Sequence, residues 1–322
     1  MDRHRARGRR ARPSRRKPLL YTAVASAVLV GATATGAVYV KAQAHDGPGA
    51  VSSAAASASP SSSPTVTEEA SVEPVAEPAV DRDALLAKAM KAVTVAAGAK
   101  ASVAVLDLDS GASAAYGDAA FDTASIVKVN ILAALLLQAQ EADRHLTAQE
   151  KTYATAMIEN SDNASATALW KAIGRADGLD AANKRFGLTD TEGGDGELWG
   201  LTQTTASDQL ILLRQVFGDE DSELGESSRS YLQGLMGEIA TGQHWGVSAA
   251  ADGSQWALKN GWLARSTTGL WDINSIGRVS ADGHAYLVAA LSNGNSTQEK
   301  GISLVEAVSK AALSAFQDTA ED

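Results

Sequence analysis

The sequence predicts an α+β fold, in which an antiparallel sheet is flanked by N- and C-terminal helices and an all-helical lobe is inserted between its strands. Two observations lead to this prediction. The segments follow one another as one helix, two strands, a largely helical middle, three strands and a final helix. The first two strands are joined by the turn Asp109-Ser110-Gly111, which is typical of a hairpin.

The elements are predicted from the spacing of apolar residues. In the first helix, Leu85, Leu86, Ala89, Met90 and Val93 lie three and four residues apart or adjacent. The strands are short runs rich in apolar residues, and a strongly apolar helix follows the first hairpin. In chain order, the predicted elements are a helix over 81–99, strands over 101–108 and 112–116, a helix over 125–142, a mainly helical stretch to about 217, strands over 256–265, 271–278 and 285–291, and a helix over 302–316.

Charge is unevenly distributed along the chain. Residues 1–17 carry eight Arg and one Lys against one Asp, and residues 1–41 have a net charge of +9. Because the whole chain has a formal net charge of −10, the remainder carries −19. A basic run can bind nucleic acid. Here the run ends against an uncharged apolar segment, so we interpret residues 1–17 as a cytoplasmic tail and expect no nucleic-acid partner.

Residues 18–40 are 23 consecutive residues without a charge. A helix that rises about 1.5 Å per residue would cross a hydrocarbon core of roughly 30 Å with this length. The positive-inside rule then places the domain outside the cytoplasm. We therefore predict a single-pass membrane helix. Two alternatives stay open: secretion after cleavage near Ala44, and a twin-arginine export signal at Arg15-Arg16.

Residues 41–80 are predicted to be a disordered linker, and residues 81–322 a globular domain. The linker is rich in Ala, Ser, Pro and Glu and has no amphipathic period. The chain contains no Cys, which excludes disulfides, thiol catalysis and thiolate zinc sites. Its five His residues show no metal-ligand spacing, so we predict neither a metal nor a cofactor. We expect the domain to be a monomer.

The first candidate catalytic pair is Ser125 and Lys128, in the segment Ser125-Ile126-Val127-Lys128. On a helix, residues three apart share one face. A serine hydroxyl needs a base to become a good nucleophile, and a buried lysine with a lowered pKa can be that base. A helix N-terminus also favours a developing oxyanion. The same spacing occurs by chance at Ser14 and Lys17, so the motif alone is weak.

Two further motifs are ambiguous when each is taken alone. Ser161-Asp162-Asn163 presents a hydroxyl and a carboxamide on one turn, but these residue types are also the preferred helix N-caps. Lys259-Asn260-Gly261 places a lysine on a predicted strand, beside a glycine that permits close approach of a substrate. The alternative is an edge-strand lysine that guards against aggregation.

Taken together and in this order, the three motifs resemble the SxxK, SDN and KTG signatures of class A β-lactamases and low-molecular-mass penicillin-binding proteins. The resemblance extends from about residue 83 to 316 and includes Phe121 to Val129 (FDTASIVKV). It implies a β-lactamase/transpeptidase-like fold. As substrates it implies β-lactams or D-alanyl peptides of peptidoglycan.

The resemblance also implies a role for each site residue. Ser125 would form the acyl-enzyme, and Lys128 would accept its proton. Ser161 would pass a proton to the departing nitrogen, and Lys259 would place positive charge near Ser161 and the substrate carboxylate. The remaining residues would bind substrate. Asn163 would do so through its amide and would also contact Lys128, and Asn260 would donate to a substrate carboxylate. Gly261 would let the substrate backbone approach closely, and the backbone N–H groups of Trp262 and Ser125 would form an oxyanion hole.

The sequence departs from that family in three places. Asn260 replaces the hydroxyl residue of KTG, and the segment between Ser125 and Ser161 is markedly shorter than in class A enzymes. The loop between Leu188 and Thr202 has only 13 residues and lacks an ExxLN-like motif, which in class A carries the deacylating glutamate. Glu197 is the candidate replacement base, and a solvated acidic loop is the alternative.

These features predict an exported serine hydrolase that forms an acyl-enzyme with β-lactams or D-alanyl peptides, with nominal β-lactamase activity and slow deacylation. The nearest alternative is a D-alanyl-D-alanine peptidase-like enzyme. A non-catalytic cell-wall-binding or sensor module on the same fold is the alternative from a different class. The intact motif side chains favour an enzyme.

Overall fold

The computed structural model describes residues 80–219, 221–253 and 255–317. The predicted basic tail, membrane helix and linker lie outside these ranges, apart from Val80, and remain predictions. Among the helices of the described residues, none combines the length and the apolar character that crossing a membrane requires.

The described residues contain eight α-helices and seven strands, in the mixed order that the sequence predicted. Their bounds are α1 Arg82–Met90, β1 Lys100–Asp107, β2 Ser113–Tyr116, β3 Phe121–Asp122, α2 Val127–Glu141, α3 Ala148–Glu159, α4 Asn163–Ala172, α5 Arg175–Phe186, β4 Gln203–Thr204, α6 Ala206–Phe217, α7 Glu226–Gly237, β5 Trp256–Ala264, β6 Trp271–Ala281, β7 His284–Asn295 and α8 Gln298–Gln317.

Five strands form one antiparallel sheet in the order β2-β1-β7-β6-β5. Strands β5, β6 and β7 pair as two consecutive hairpins. Strand β1 pairs with β7 on one side and with β2 on the other, so β2 and β5 are the edge strands. The predicted α+β class is therefore confirmed. The short strands β3 and β4, which the sequence did not predict, form a separate two-stranded pair.

The sheet separates two hydrophobic cores. Because side chains alternate along a strand, Val103 and Val105 of β1 join the core with α1 and α8, whereas Ala104 and Leu106 join the core with the helical lobe. The lobe comprises α2 to α7, and α2 lies at its centre with twelve buried residues. Helix α2 is buried along most of its length and is mainly apolar, as expected for a helix that neighbours surround.

The end of the first helix differs most from its prediction, whereas β6, β7 and α8 extend by a few residues beyond their predicted bounds. Helix α1 ends at Met90, well before the predicted end at Ala99, since the β-branched run Val93-Thr94-Val95 that follows disfavours helix. Helix α3 begins after Thr147 in a capping box, in which the Thr147 hydroxyl and the Glu150 carboxylate each accept a backbone N–H of the other residue.

Candidate active site

Ser125 lies in the 3₁₀ turn Ala124–Ile126, immediately before helix α2. Its side chain is only 8% exposed, and its hydroxyl makes no hydrogen bond with the described residues. The preceding Ala124 has a φ of 48°, a left-handed conformation that costs a non-glycine residue about 1 kcal/mol. The turn therefore places a hydroxyl without a hydrogen-bond partner among the described residues at the start of a buried helix.

The turn that carries Ser125 is tied to neighbouring strands through its backbone. The Nδ2 atom of Asn274, on β6, donates to the carbonyl oxygens of Asp122 at 2.9 Å and Thr123 at 3.0 Å. The Thr123 N–H donates to the carbonyl oxygen of Thr202 at 2.9 Å. Asn274 is fully buried, so these bonds are shielded from water. They hold the turn that carries Ser125 between the sheet and the 188–202 loop.

Lys128 reaches from α2 to the Ser161-Asp162-Asn163 turn. Its Nζ donates to the carbonyl oxygen of Ser161 at 2.7 Å, to the Ser161 Oγ at 3.0 Å and to the Asn163 Oδ1 at 2.8 Å. Lys128 is fully buried, and no carboxylate forms an ion pair with it among the described residues. Neutral oxygens alone therefore satisfy the amine.

The surroundings of Lys128 favour its neutral form. Burial lowers the pKa of its amine to about 7, while the nearby Asp162 carboxylate acts in the opposite direction. A neutral amine has two hydrogens and one lone pair. Two hydrogens suffice for the Ser161 carbonyl and the Asn163 amide oxygen, so the lone pair is left to face a hydroxyl. Near neutral pH, Lys128 is thus suited to accept a proton.

The Ser161-Asp162-Asn163 turn serves both of the purposes that the sequence suggested. Asp162 is the N-cap of α4, and its carboxylate accepts the Ser165 N–H at 2.7 Å. The two flanking residues face the amine of Lys128. Ser161 has a φ of 56°, a left-handed conformation that turns both its carbonyl and its hydroxyl to the same side. A helix cap therefore positions the two polar side chains beside it.

Lys259 contacts the same Ser161 hydroxyl from strand β5. It lies on β5, fully buried, and its Nζ is 3.1 Å from the Ser161 Oγ and 2.9 Å from the carbonyl oxygen of Asn260. Burial is the first cause, and repulsion by Lys128 the second, that lowers the pKa of Lys259 well below its ordinary value. Two buried amines therefore meet at one serine hydroxyl.

Gly261 brings the edge of the sheet against the turn that carries Ser125. A Cβ at this position would lie 2.8 Å from the Ser125 nitrogen, 2.8 Å from the Thr123 oxygen and 2.9 Å from the Ile126 nitrogen. Only glycine fits, because all three neighbours are backbone atoms. Strand β5 is also the edge strand of its sheet, so alternate backbone N–H groups along it are free of strand pairing.

Asn260 points away from the turn that carries Ser125. Its Nδ2 donates to the carbonyl oxygens of Gln243 at 2.7 Å and Trp245 at 3.1 Å. Both amide hydrogens are thus engaged by the 241–250 segment. The contact with a substrate carboxylate that the sequence predicted is therefore replaced by a structural role. The physical reason is strand alternation: Lys259 and Gly261 share one face of β5, and Asn260 faces the other.

Glu197, the predicted candidate base, lies on the surface and is held by two cations. Its carboxylate is 3.1 Å from the Lys171 Nζ and 2.9 Å from the Arg175 Nε, and the side chain is 45% exposed. Hydrogen bonds from these two residues lower its pKa. A carboxylate in this state is a poor proton acceptor, so the structure supports the alternative of a solvated acidic loop.

Trp199 occupies the loop side of the site, and the sequence analysis did not single it out. Its ring centroid is 5.0 Å from the Lys128 Nζ, and its Nε1 donates to the Thr167 Oγ1 at 3.1 Å. A second tryptophan, Trp262, has its ring centroid 6.0 Å from the Lys259 Nζ. The available signal for Trp199 was that it is the single aromatic residue between Leu188 and Thr202.

One group of potential metal ligands occurs in the described part of the chain, and it shares no residue with this site. It consists of Asp107, Asp109 and His284. The Asp107 carboxylate already accepts hydrogen bonds from Ser110 and from the Asp109 N–H. Asp107 therefore has a structural role, since its hydrogen bonds stabilise the turn that follows β1.

The chain matches the model of the beta-lactamase enzyme family over residues 85–153 and 147–316. Both segments together contain every site residue described above. No curated protein matches the chain.

Several solved structures share the fold. PBP-A, of which a mutant was solved as an acyl-enzyme complex with penicillin G, has a TM-score of 0.62 and 22% identity, and the match covers 73% of this chain and 97% of that one. A class A beta-lactamase from Bacteroides cellulosilyticus has a TM-score of 0.62 and 18% identity, with 74% and 99% covered. The TLA-1 extended-spectrum beta-lactamase has a TM-score of 0.63 and 16% identity, with 73% and 98% covered.

Proposed function

The chain belongs to the beta-lactamase enzyme family, and on this premise we propose that it is a serine hydrolase that forms an acyl-enzyme through Ser125. Its substrates are β-lactams or D-alanyl peptides of the cell wall, and its acyl-enzyme is hydrolysed slowly. One observation carries the proposal: two buried lysine amines lie 3.0 and 3.1 Å from the Ser161 hydroxyl, beside the start of α2 where Ser125 lies. Two buried amines without a carboxylate partner are costly to folding, and such groups with strongly shifted pKa values are typical of functional sites.

Acylation proceeds in two proton-coupled steps. The neutral amine of Lys128 takes the proton of the Ser125 hydroxyl, and Oγ forms a bond to the substrate carbonyl carbon. The carbon–nitrogen bond of the lactam or peptide then breaks. The departing nitrogen takes a proton from the Ser161 hydroxyl, which regains one from the Lys128 ammonium 3.0 Å away. The net change moves one proton from Ser125 to the leaving nitrogen and returns Lys128 to its neutral form.

The remaining site residues bind the substrate in this proposal. Asn163 keeps its amide nitrogen for a substrate carbonyl, since its Oδ1 already accepts from Lys128. An incoming carboxylate supplies the counter-charge that Lys259 lacks and so favours its ammonium form. Backbone N–H groups of Ser125 and Trp262 form the oxyanion hole, and Gly261 allows strand β5 to approach the turn that carries Ser125. Each such donor contributes about 2.7–4 kcal/mol to the transition state.

Slow deacylation is supported by the chemistry of the 188–202 loop. Hydrolysis requires a water whose proton is taken by a base as it attacks the acyl carbonyl. The Glu197 carboxylate is bound by Lys171 and Arg175, and the side chain that faces the Lys128 amine from this loop is the indole of Trp199. An indole cannot accept that proton. The acyl-enzyme should therefore accumulate.

The test is labelling with a fluorescent penicillin, followed by intact mass. We expect one adduct per chain that persists for minutes or longer, and no adduct in Ser125→Ala. Rapid multiple turnover would contradict slow deacylation while retaining the acyl-serine. No adduct with either a penicillin or a D-alanyl-D-alanine depsipeptide would overturn the enzyme assignment in favour of the binding or sensor module.

We further propose that residues 18–40 anchor the domain on the outer side of the cell membrane. The support is the 23-residue uncharged segment preceded by a strongly basic tail. The alternative is release after cleavage near Ala44. The mass of the protein in the membrane and secreted fractions decides between them: an intact chain in the membrane fraction supports the anchor, and a secreted chain that begins just after Ala44 supports cleavage.

A further inference from the structure

Trp199 is fixed in place by its surroundings. It begins the 3₁₀ turn Trp199–Leu201, and its Nε1–H donates to the Thr167 Oγ1 on α4. Just before it, the Trp170 Nε1 donates to the carbonyl oxygen of Gly196 at 2.8 Å. Just after it, the Thr202 Oγ1 accepts the Gly194 N–H at 3.1 Å. These bonds on both sides leave the indole little freedom to move away from the site.

The same turn packs against the turn that carries Ser125. A Cβ on Gly200 would lie 3.9 Å from the Cα and carbonyl oxygen of Ala124, which is ordinary contact. The centroid of the indole ring lies 5.0 Å from the Lys128 Nζ, which also contacts Ser161 and Asn163. Three oxygens and one aromatic face thus surround the amine.

An aromatic face has two opposing effects on a neighbouring amine. Its negative quadrupole attracts the ammonium form, which raises the pKa of the amine. Its bulk excludes water, which lowers that pKa. Other charged groups act as well, namely the Asp162 carboxylate and the Lys259 amine. Substitutions that remove one effect and keep the other can therefore separate them.

We propose that Trp199 is a positioning residue of this site, whose ring holds the Lys128 amine against Ser161 and Asn163 and closes the loop side of Ser125 to water. This inference deepens the proposed function and rests on it for its kinetic consequence. The consequence is that the indole prolongs the life of the acyl-enzyme. Its effect on Lys128 itself does not depend on any substrate.

The first experiment is a pH titration of the lysine side-chain signals by NMR in the full chain without ligand. The Lys128 signal is assigned by its loss in Lys128→Arg. Trp199→Leu keeps an apolar wall but loses the quadrupole, so we expect the pKa of Lys128 to fall by about one unit, a tenfold change in its protonation equilibrium. Trp199→Ala also loses the ring but admits water, so we expect the pKa of Lys128 in this variant to lie above that in Trp199→Leu. Trp199→Phe keeps a ring face and should restore most of the wild-type value.

Leu198→Ala is the matched control, because Leu198 is the neighbouring residue in the same loop and its side chain is 56% exposed. It should leave the pKa of Lys128 unchanged. If Lys128 titrates alike in the wild type and in the Leu and Ala variants, Trp199 does not position it and the inference is wrong, whatever the protein does with penicillin.

The second experiment measures the life of the penicillin adduct. We expect Trp199→Ala to shorten it at least tenfold, whereas Trp199→Phe should retain most of the wild-type lifetime. An adduct that forms in all variants with one common lifetime would contradict the shielding role while leaving the proposed function intact. An absence of adduct in the wild type would contradict the proposed function, and the titration above would still decide the position of Trp199.

Discussion

Lys128 and Lys259 bring two amines to the Ser161 hydroxyl, and neither amine has a carboxylate partner among the described residues. Keeping both charged would be costly, because each is fully buried and each repels the other. The arrangement is therefore stable with at most one ammonium, which leaves a neutral amine beside the nucleophile turn. That neutral amine is what deprotonation of Ser125 requires.

The state of Lys128 gives the first prediction, a pH profile. Since its pKa is about 7, the amine is protonated below that pH and free to act as a base above it. The second-order rate constant of acylation should rise with pH, reach half its maximum near pH 7, and be about 100-fold lower at pH 5 than at pH 9. Stopped-flow labelling with a fluorescent penicillin measures it. A flat profile between pH 5 and 9 would exclude Lys128 as the base.

Gly261 gives a second prediction at the residue scale. In Gly261→Ala, the new methyl group collides with three backbone atoms of the nucleophile turn, so β5 and Ser125 must separate. A displacement of about 1 Å at a reacting centre costs about 10²-fold in rate, and we expect at least that loss in acylation. Gly234→Ala is the control, since its Cβ meets no atom within 4 Å and alanine favours the α7 helix. Equal acylation by both variants would contradict the close approach.

At the scale of elements, the sequence predicted the components that depend on local pattern. The apolar helix after Ser125 and the strands β5 and β6 follow from spacing and residue type, and the residue types of Ser161-Asp162-Asn163 indicated the helix cap that Asp162 provides. The order of the motifs led to the cluster of Ser125, Lys128, Ser161 and Lys259. What could not be predicted depends on tertiary register.

Three residues illustrate that limit. Asn260 was assigned to the substrate, but which face of β5 it occupies is decided by the sheet and the 241–250 segment. Asn274 ties the nucleophile turn to β6 across about 150 residues of sequence, and no local pattern indicates such a bond. Trp199 meets Lys128 only because the shortened loop packs on the 124–126 turn. The two-residue strands β3 and β4 are likewise too short to show a period.

Helix α4 gives the third prediction, because its cap and the site share one turn. Asp162→Ala removes the N-cap and should lower the free energy of unfolding by about 1 kcal/mol, whereas Asp162→Asn keeps a capping oxygen and most of the stability. Both variants remove the carboxylate that raises the pKa of Lys128, so both should shift the acylation profile to lower pH. Urea unfolding and the pH profile test the two effects separately. If the acylation profile shifts only in Asp162→Ala, a distorted turn and not the lost charge causes the shift.

At the scale of the whole domain, the candidate site lies along the seam between the edge strand β5 and the helical lobe. The sheet is held on one face by α1 and α8 and on the other by the lobe. Buried polar residues concentrate at this seam, including Lys128, Asn274 and Lys259. Such groups cost folding free energy that apolar residues would not, and functional sites are where proteins retain that cost.

Asp272 gives the last prediction, which concerns the stability of the domain. It lies on β6, where the Arg265 Nε is 3.9 Å from its Oδ2 and the Arg265 Nη1 is bonded to Asp122. Burial raises the pKa of Asp272 to about 6 from 3.8, and the attraction of Arg265 offsets only part of this. Between these two values the folded state binds more protons than the unfolded state, so the contribution of Asp272 to stability falls as pH rises through 6.

Asn resembles the protonated acid and does not ionise, so Asp272→Asn should relieve this cost where the wild type is charged. We expect the variant to be more stable than the wild type by about 1–3 kcal/mol at pH 8 and by far less at pH 4. Guanidinium unfolding at the two pH values measures the difference, with exposed Asp118→Asn as a surface control. If the difference in unfolding free energy is the same at both pH values, ionisation of Asp272 does not destabilise the folded state and the prediction is wrong.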